Sequence, residues 1–307
     1  MTSPAPWLSV SPEVTRALAA GRPVVALEST VIAHGLPWPV NLDLARTLEA
    51  TVRAAGATPA TIAVLHGRPT VGLADAELVH LASAAGIRKI SRRDLPLVVA
   101  GGLDGATTVA ATMWLAAQAG IRVFATGGIG GVHRGQPFDV SADLPELART
   151  SVAVVCAGAK SILDLALTLE WLETHGVPVL GYQTDRFPAF FVADSGLPVD
   201  ERCDSVADVV AVLDAKWGMG LDGGVLVAVP VPEEHALDAA VAEAAIGRAL
   251  AAAETAGVRG KALTPFLLRA VSAETGGESM AANVALLRNN AGLAAEIAVT
   301  LARRQLE

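Results

Sequence analysis

An α/β fold is predicted, three layers deep, with a mixed and mostly parallel central sheet between two layers of helices. Two observations carry this. Apolar runs of strand length alternate with helical patterns almost throughout the chain. Those runs are apolar at nearly every position, as strands covered on both faces are. In addition, no low-complexity linker and no internal repeat divides the 307 residues, so one domain over 1–307 is expected.

The elements follow in order. Residues 24–29 (VVALES) read as a strand, and 42–55 as a helix that Gly56 stops. Residues 61–66 (TIAVLH) are a strand, and 75–85 a helix ended by Gly86. Residues 97–100 read as a short strand running into Gly101 and Gly102. A helix over 107–119 ends at Gly120, and the strand 123–126 enters a glycine cluster. The strand 152–156 precedes a helix over 162–175, which Gly176 ends. Residues 179–183 and 225–229 are further strands. The C-terminal third carries three helical stretches, 233–255, 265–275 and 279–304.

Composition narrows the function. Charged residues are 18% and hydrophobic ones 52%, which excludes a disordered chain. A formal net charge of −8 argues against a nucleic-acid partner, while leaving room for a small cationic pocket that takes a phosphate. Gly, Pro or a charge interrupts every apolar run short of about 18 residues, so no membrane partner is expected. The N-terminus lacks the basic and apolar regions of a secretory signal. Two cysteines, Cys156 and Cys203, without CxxC spacing, point to the reducing cytoplasm. The apolar excess suits a subunit interface.

In such folds ligands sit beyond the carboxyl ends of the strands, so polar residues just after a strand are the candidates. Glu28 ends the first strand. Lys89 opens a cationic stretch, of which Arg92-Arg93-Asp94 read as a solvated patch. Gly105-Ala106-Thr107-Thr108 reads as an anion site at a helix start, where hydroxyls and backbone amides converge. The run Gly127–Gly131 is either a packing turn or a close approach to an anion; it lacks the following helix and the acidic residue of a dinucleotide fingerprint. Lys160 follows a strand with Gly158 and Ala159 beside it. It reads equally as an exposed lysine, a phosphate ligand or a Schiff-base nucleophile. Asp139 and Asp143 bracket Ser141: carboxylates on a loop suit a hard divalent cation, and Ser141 or Asp143 also suits the cap of a helix at 144–149. Spacing favours the cap for Asp143 and leaves Asp139 open. His34, His66 and His133 lack zinc spacing and read as structural or solvated, and Met113 and Trp114 as packing.

Taken together, the segments ALESTVIAHGLP, ISRRDLP, GATTVAATM, VFATGGIGGVHRG, FDVSADL, VVCAGAKSILDL, GYQTDRFPAFF, KALTPFLL and the Asn283–Asn290 region form an ordered set. Over residues 25–297 the chain resembles the pseudouridine-5′-phosphate glycosidases, a family also related to indigoidine synthase A. The resemblance implies a homotrimer with an α/β/α fold and one Mn²⁺ per subunit. It implies reversible cleavage of pseudouridine 5′-phosphate to uracil and ribose 5-phosphate. By motif, Glu28 matches the proton donor, Lys160 the covalent nucleophile and Asp139 the metal ligand. Lys89, Val109, Ser141, Ala142, Asp143 and Asn283 match substrate-binding positions. The chemistry suits these residue types, because a carbon leaving group is too poor for the two-carboxylate route of ordinary glycosidases. An amine that bonds to C1′ while a carboxyl protonates the ring oxygen opens another route. Free lysine titrates near about 10.4, so such a site must favour the neutral amine. The alternatives are a Schiff-base lyase or aldolase acting on another phosphosugar, which leaves FDVSADL unexplained, then a non-catalytic sugar-phosphate binder and, last, a dehydrogenase.

Overall fold

The computed structural model describes residues 5–304. The chain opens with β1 (Ser9–Val10) and α1 (Pro12–Ala19), a helix capped by Ser11, whose hydroxyl accepts the Val14 N–H at 3.3 Å. Then come β2 (Val24–Leu27), a π-helical turn at Val31–Gly35, α2 (Val40–Ala54), β3 (Thr58–Leu65), β4 (Arg68–Val71) and α3 (Asp75–Ser83). The next elements are β5 (Arg88–Ile90), α4 (Leu95–Ala100), β6 (Gly105–Thr107), α5 (Val109–Gln118) and β7 (Val123–Ala125). A hairpin of β8 (Val132–His133) and β9 (Gln136–Val140) leads into α6 (Asp143–Leu147), β10 (Ala153–Cys156), β11 (Leu163–Asp164) and α7 (Leu165–Thr174). The chain ends with β12 (Val179–Tyr182), β13 (Glu201–Cys203), α8 (Val206–Gly218), β14 (Val225–Ala228), α9 (Ala239–Thr255), α10 (Leu263–Glu274) and α11 (Glu278–Arg304).

The main sheet runs β1-β4-β3-β2-β7-β10-β14-β12-β13, with β6 on β3 and β5 on β6. From β3 through β13 the pairs on this path are all parallel. The β3–β4 and β3–β6 pairs are antiparallel, which makes the sheet mixed. A small antiparallel sheet, β11-β8-β9, stands beside it. Strands β2, β10 and β14 are buried at every residue, and helices cover both faces of the main sheet, as their unbroken apolar sequence requires. The long helix α11 packs across β2, β7 and β10. Its buried alanines, among them Ala291, Ala294, Ala295 and Ala298, let its axis come close to the sheet.

Several local readings are corrected. Residues 97–100 are helical, as part of α4: Pro96 lies in its first turn and the Asp94 carboxylate accepts the Ser91 N–H at 2.8 Å. Residues 105–107 are a buried strand instead of a helix start. Leu163 and Asp164 pair with β8 before α7 begins, and Asp164 caps that helix through the Leu167 N–H at 3.0 Å. A 3₁₀ turn at Glu233–His235 precedes α9, which Asp238 caps. Helices α1 and α8 were not anticipated, although Ser205 and Asp208 form a capping box ahead of α8. Among the described residues no helix is long and apolar enough to cross a membrane.

Candidate active site

Strand register builds the site. Leu27 of β2 and Val155 of β10 both align with Ala125 of β7, which lies between them. The next residue of β2 is Glu28, the next of β7 is Thr126, and the loop after β10 brings in Lys160. The Thr126 hydroxyl donates to Glu28 Oε1. Lys160 Nζ donates to the Gly128 carbonyl at 2.5 Å. Asn290 of α11 donates to the Thr126 carbonyl at 2.9 Å and holds that loop from behind. Burial pushes the Glu28 carboxyl above its ordinary value of 4.5; the positive charge of Lys160 and the Thr126 hydroxyl act against this without cancelling it. A carboxyl so placed holds its proton further up the pH scale and can donate it. Burial also pushes the neighbouring Cys156 thiol up to about 12, which removes it as a nucleophile.

Glu28 and Lys160 face a cavity of 340 Å³. Its lining includes Lys89, Ser91, Arg93, Ser141 and Thr108, the residue just ahead of α5. Ser91, Thr108 and His34 line this cavity, and Ser91 Oγ, Thr108 Oγ1 and His34 Nε2 are each buried without a hydrogen-bond partner among the described residues. Burying such atoms is costly unless a ligand satisfies them. Burial and the nearby Lys89 ammonium lower the His34 pKa and favour a neutral ring, although a hydrogen bond to the Arg88 backbone works the other way. Cations, hydroxyls and a helix N-terminus together make an anion site. Phe190, Asn283, His133 and Asp139 line it as well.

The cavity gathers all nine of the residues singled out above: Glu28, Lys89, Val109, Asp139, Ser141, Ala142, Asp143, Lys160 and Asn283. Some do other work than expected. Asp143 is buried, with Oδ1 accepting the Ala110 N–H at 2.9 Å and Oδ2 the Gly130 N–H at 2.8 Å. It caps α5 across the fold instead of its own helix, and Ser141 Oγ accepts the Asp143 N–H at 3.2 Å. Val109 is buried as the first residue of α5, so its backbone is what it offers. The expected anion loop shrinks to Thr108: the Thr107 hydroxyl is buried, donating to the Ile62 carbonyl at 2.7 Å. Arg92 is exposed, as expected, but it is also tied down: its 44% exposed side chain bonds the buried Glu146 at 3.0 Å and lies over the Trp114 ring. Arg93, by contrast, reaches the cavity. His34 and His133 border it as well, a placement the histidine spacing could not reveal. Thr126 and Phe190 were missed too; a polar residue directly after a strand was the available sign for Thr126.

The glycine run is there for close approach. A Cβ on Gly130 would sit 2.2 Å from Ser141 Oγ, and one on Gly128 would sit 2.7 Å from the Phe190 ring. Asp139, on β9, is half exposed, and its Oδ2 lies 3.2 Å from His133 Nδ1. One carboxylate and one imidazole opening on a wet cavity fit a hard divalent cation that keeps several waters.

Fold and site define an α/β enzyme with a lysine and a carboxyl set in one cavity beside cationic and hydroxyl side chains. The chain belongs to the indigoidine synthase A like protein family, whose model matches residues 13–300. It is 66% identical over 303 residues to a pseudouridine-5′-phosphate glycosidase of Rhodospirillum centenum, covering 98% of this chain and 94% of that one. It is 58% identical to one of Hahella chejuensis, covering 96% and 98%. It superposes with a TM-score of 0.91 on the prealnumycin C-glycosynthase AlnA in complex with ribulose 5-phosphate, at 44% identity and 99% coverage of both chains.

The Glu28 shift sets a sign for stability. The folded carboxyl binds its proton more tightly than the unfolded one. The native state therefore loses stability as pH rises from 4.5 toward the folded value. Glu28→Gln removes that loss. The variant is expected to gain stability relative to the wild type as pH rises above 4.5, as followed by thermal melts. A relative stability that stays flat or falls as pH rises above 4.5 contradicts the raised Glu28 carboxyl.

Proposed function

We propose that this chain is a pseudouridine-5′-phosphate glycosidase that works through a lysine-linked, ring-opened sugar. The observation that carries the reading is the placement of Lys160 and Glu28 in one cavity with the anion site of Lys89, Arg93 and Thr108. The names of the relatives and the pentose phosphate bound by the C-glycosynthase support it.

The phosphate enters the α5 end and sets the sugar across the glycine loop. The Lys160 amine attacks C1′, the C1′–O4′ bond breaks, and Glu28 gives its proton to O4′. The open-chain adduct carries both the lysine nitrogen and uracil C5 on C1′. The nitrogen, left positively charged by its attack, gives up a proton. As C5 takes up that proton the C1′–C5 bond breaks, its electrons go to the base, and the nitrogen lone pair forms the C1′=N imine. Water adds to the imine and releases ribose 5-phosphate and Lys160. Thr126 orients the Glu28 carboxyl, and Asn283 faces the base end from α11. Asp139, with His133 beside it, would hold one Mn²⁺ per subunit, which would supply a positive charge at the base end. The same reading puts the chain in the cytoplasm, in keeping with two free, buried cysteines. It also makes the assembly a homotrimer, in keeping with an exposed Phe138 and Leu97.

Pseudouridine 5′-phosphate is expected to be cleaved to uracil, whereas uridine 5′-phosphate, whose base hangs on nitrogen, is not. Unphosphorylated pseudouridine is slow, because it forgoes several charge-assisted hydrogen bonds of about 1.5–3 kcal/mol each. Borohydride with ribose 5-phosphate adds the sugar mass to a peptide containing Lys160, and Lys160→Ala loses on the order of 10³-fold in kcat/KM, about 4 kcal/mol. Equal uracil release from uridine 5′-phosphate, or label on Lys89 alone, overturns the reading. Chelation removes activity and Mn²⁺ restores it, with Asp139→Ala unresponsive; full metal-free activity in that variant takes the ion out of the reaction. Light scattering returns about three subunit masses at micromolar concentration, and one subunit mass refutes the trimer.

A further inference from the structure

Beyond the other end of β6 from the cavity, three side chains of metal-ligating type meet outside the active site. His66 sits in the turn between β3 and β4, His80 on α3, and Asp104 just ahead of β6. One candidate donor atom from each lies within 4.8 Å of the other two. His80 Nε2 is 2.7 Å from Asp104 Oδ2, and His66 Nδ1 is 3.6 Å from Asp104 Oδ1. We propose that His66, His80 and Asp104 form a second divalent-cation site, suited to a late first-row metal such as Zn²⁺.

The donor set decides the metal class. Two imidazoles and one carboxylate, with the remaining positions open to water, suit Zn²⁺, Ni²⁺ or Cu²⁺ better than a hard ion. Asp139 has one imidazole beside it and answers to a different class. Three separate segments converge here, and each is tied down. The His66 backbone N–H donates to Asp104 Oδ1 at 2.6 Å, the Gly67 N–H to the Leu103 carbonyl at 2.9 Å and the Arg88 N–H to the Asp104 carbonyl at 3.1 Å. His66 holds a φ of +50°, which is uncommon outside glycine and turns its ring toward the other two. The His66 side chain is 82% exposed, so an ion reaches the site from solvent. Thr108 follows Asp104 four residues later, about 13 Å on at about 3.3 Å per residue, so the two sites do not overlap.

The test is a calorimetric titration with Zn²⁺ alone. It is run in the Asp139→Ala background, so that the cavity does not compete, with and without His80→Ala or His66→Gly. Glycine is chosen at 66 because it keeps the positive φ. Asp139→Ala is expected to bind one Zn²⁺ per chain, and each histidine change to weaken that binding at least about tenfold. Co²⁺ bound in place of Zn²⁺ should give a visible absorption band that His80→Ala removes. With Asp139 intact, His66→Gly and His80→Ala should release uracil within about twofold of the wild type and melt cooperatively without metal. Zn²⁺ titrations that are the same with and without both histidines, or no Zn²⁺ binding at all in the Asp139→Ala chain, overturn the proposal.

Discussion

The alignment of β2, β7 and β10 is the constraint on which the site depends. Three parallel strands in common register end at Leu27, Ala125 and Val155–Cys156, so the residues that follow them must share one small space. A one-residue slip would turn Glu28 to the opposite face of the sheet. The buried helix α11 holds the three strands from one side, and its Asn290 grips the central strand at the point where it opens into the glycine loop. The position of the carboxyl opposite the amine therefore derives from the apolar core, since neither side chain bonds the other.

A second tie makes the loops act together. The Asp143 carboxylate joins the amide of Gly130, in the loop whose Gly128 carbonyl holds Lys160, to the amide of Ala110, in the first turn of the anion-binding helix. Both oxygens are committed to backbone N–H groups, so this acid serves as a strut between the glycine loop and the first turn of α5. The hydroxyls of Ser29, Thr107 and Thr112 bond one another beneath it and fix the end of β2 to β6.

Much of this was legible in the sequence, for physical reasons. Strands covered on both faces announce themselves as unbroken apolar runs, so β2, β7, β10 and β14 could be placed, and with them Glu28 and Lys160. What was lost depended on partners far along the chain. Thr107 looks like an anion ligand until β3 supplies the Ile62 carbonyl for its hydroxyl. Arg92 looks untethered until Glu146 arrives from 54 residues away. Residues 97–100 have strand composition, and only the turn made by Ser91, Asp94 and Pro96 commits them to a helix. The two-residue strands β8 and β11 have too little sequence to show a period, so the hairpin bearing His133 and Asp139 was unreadable as structure even though its motif stood out. Helix α8 was the avoidable miss, because its capping box was in plain view.

Cys156 sits at the end of a central strand, close enough to Lys160 and Glu28 to feel both charges, yet its thiol is pushed up to about 12. A thiol at that depth stays protonated and carries almost none of the thiolate on which peroxides and alkylating agents act. Under the lysine route proposed above, the attacking atom would be nitrogen, and the reaction would not depend on a thiolate that oxidants destroy. Carbonyl compounds, which react with amines, would then be the reagents to which the centre is exposed.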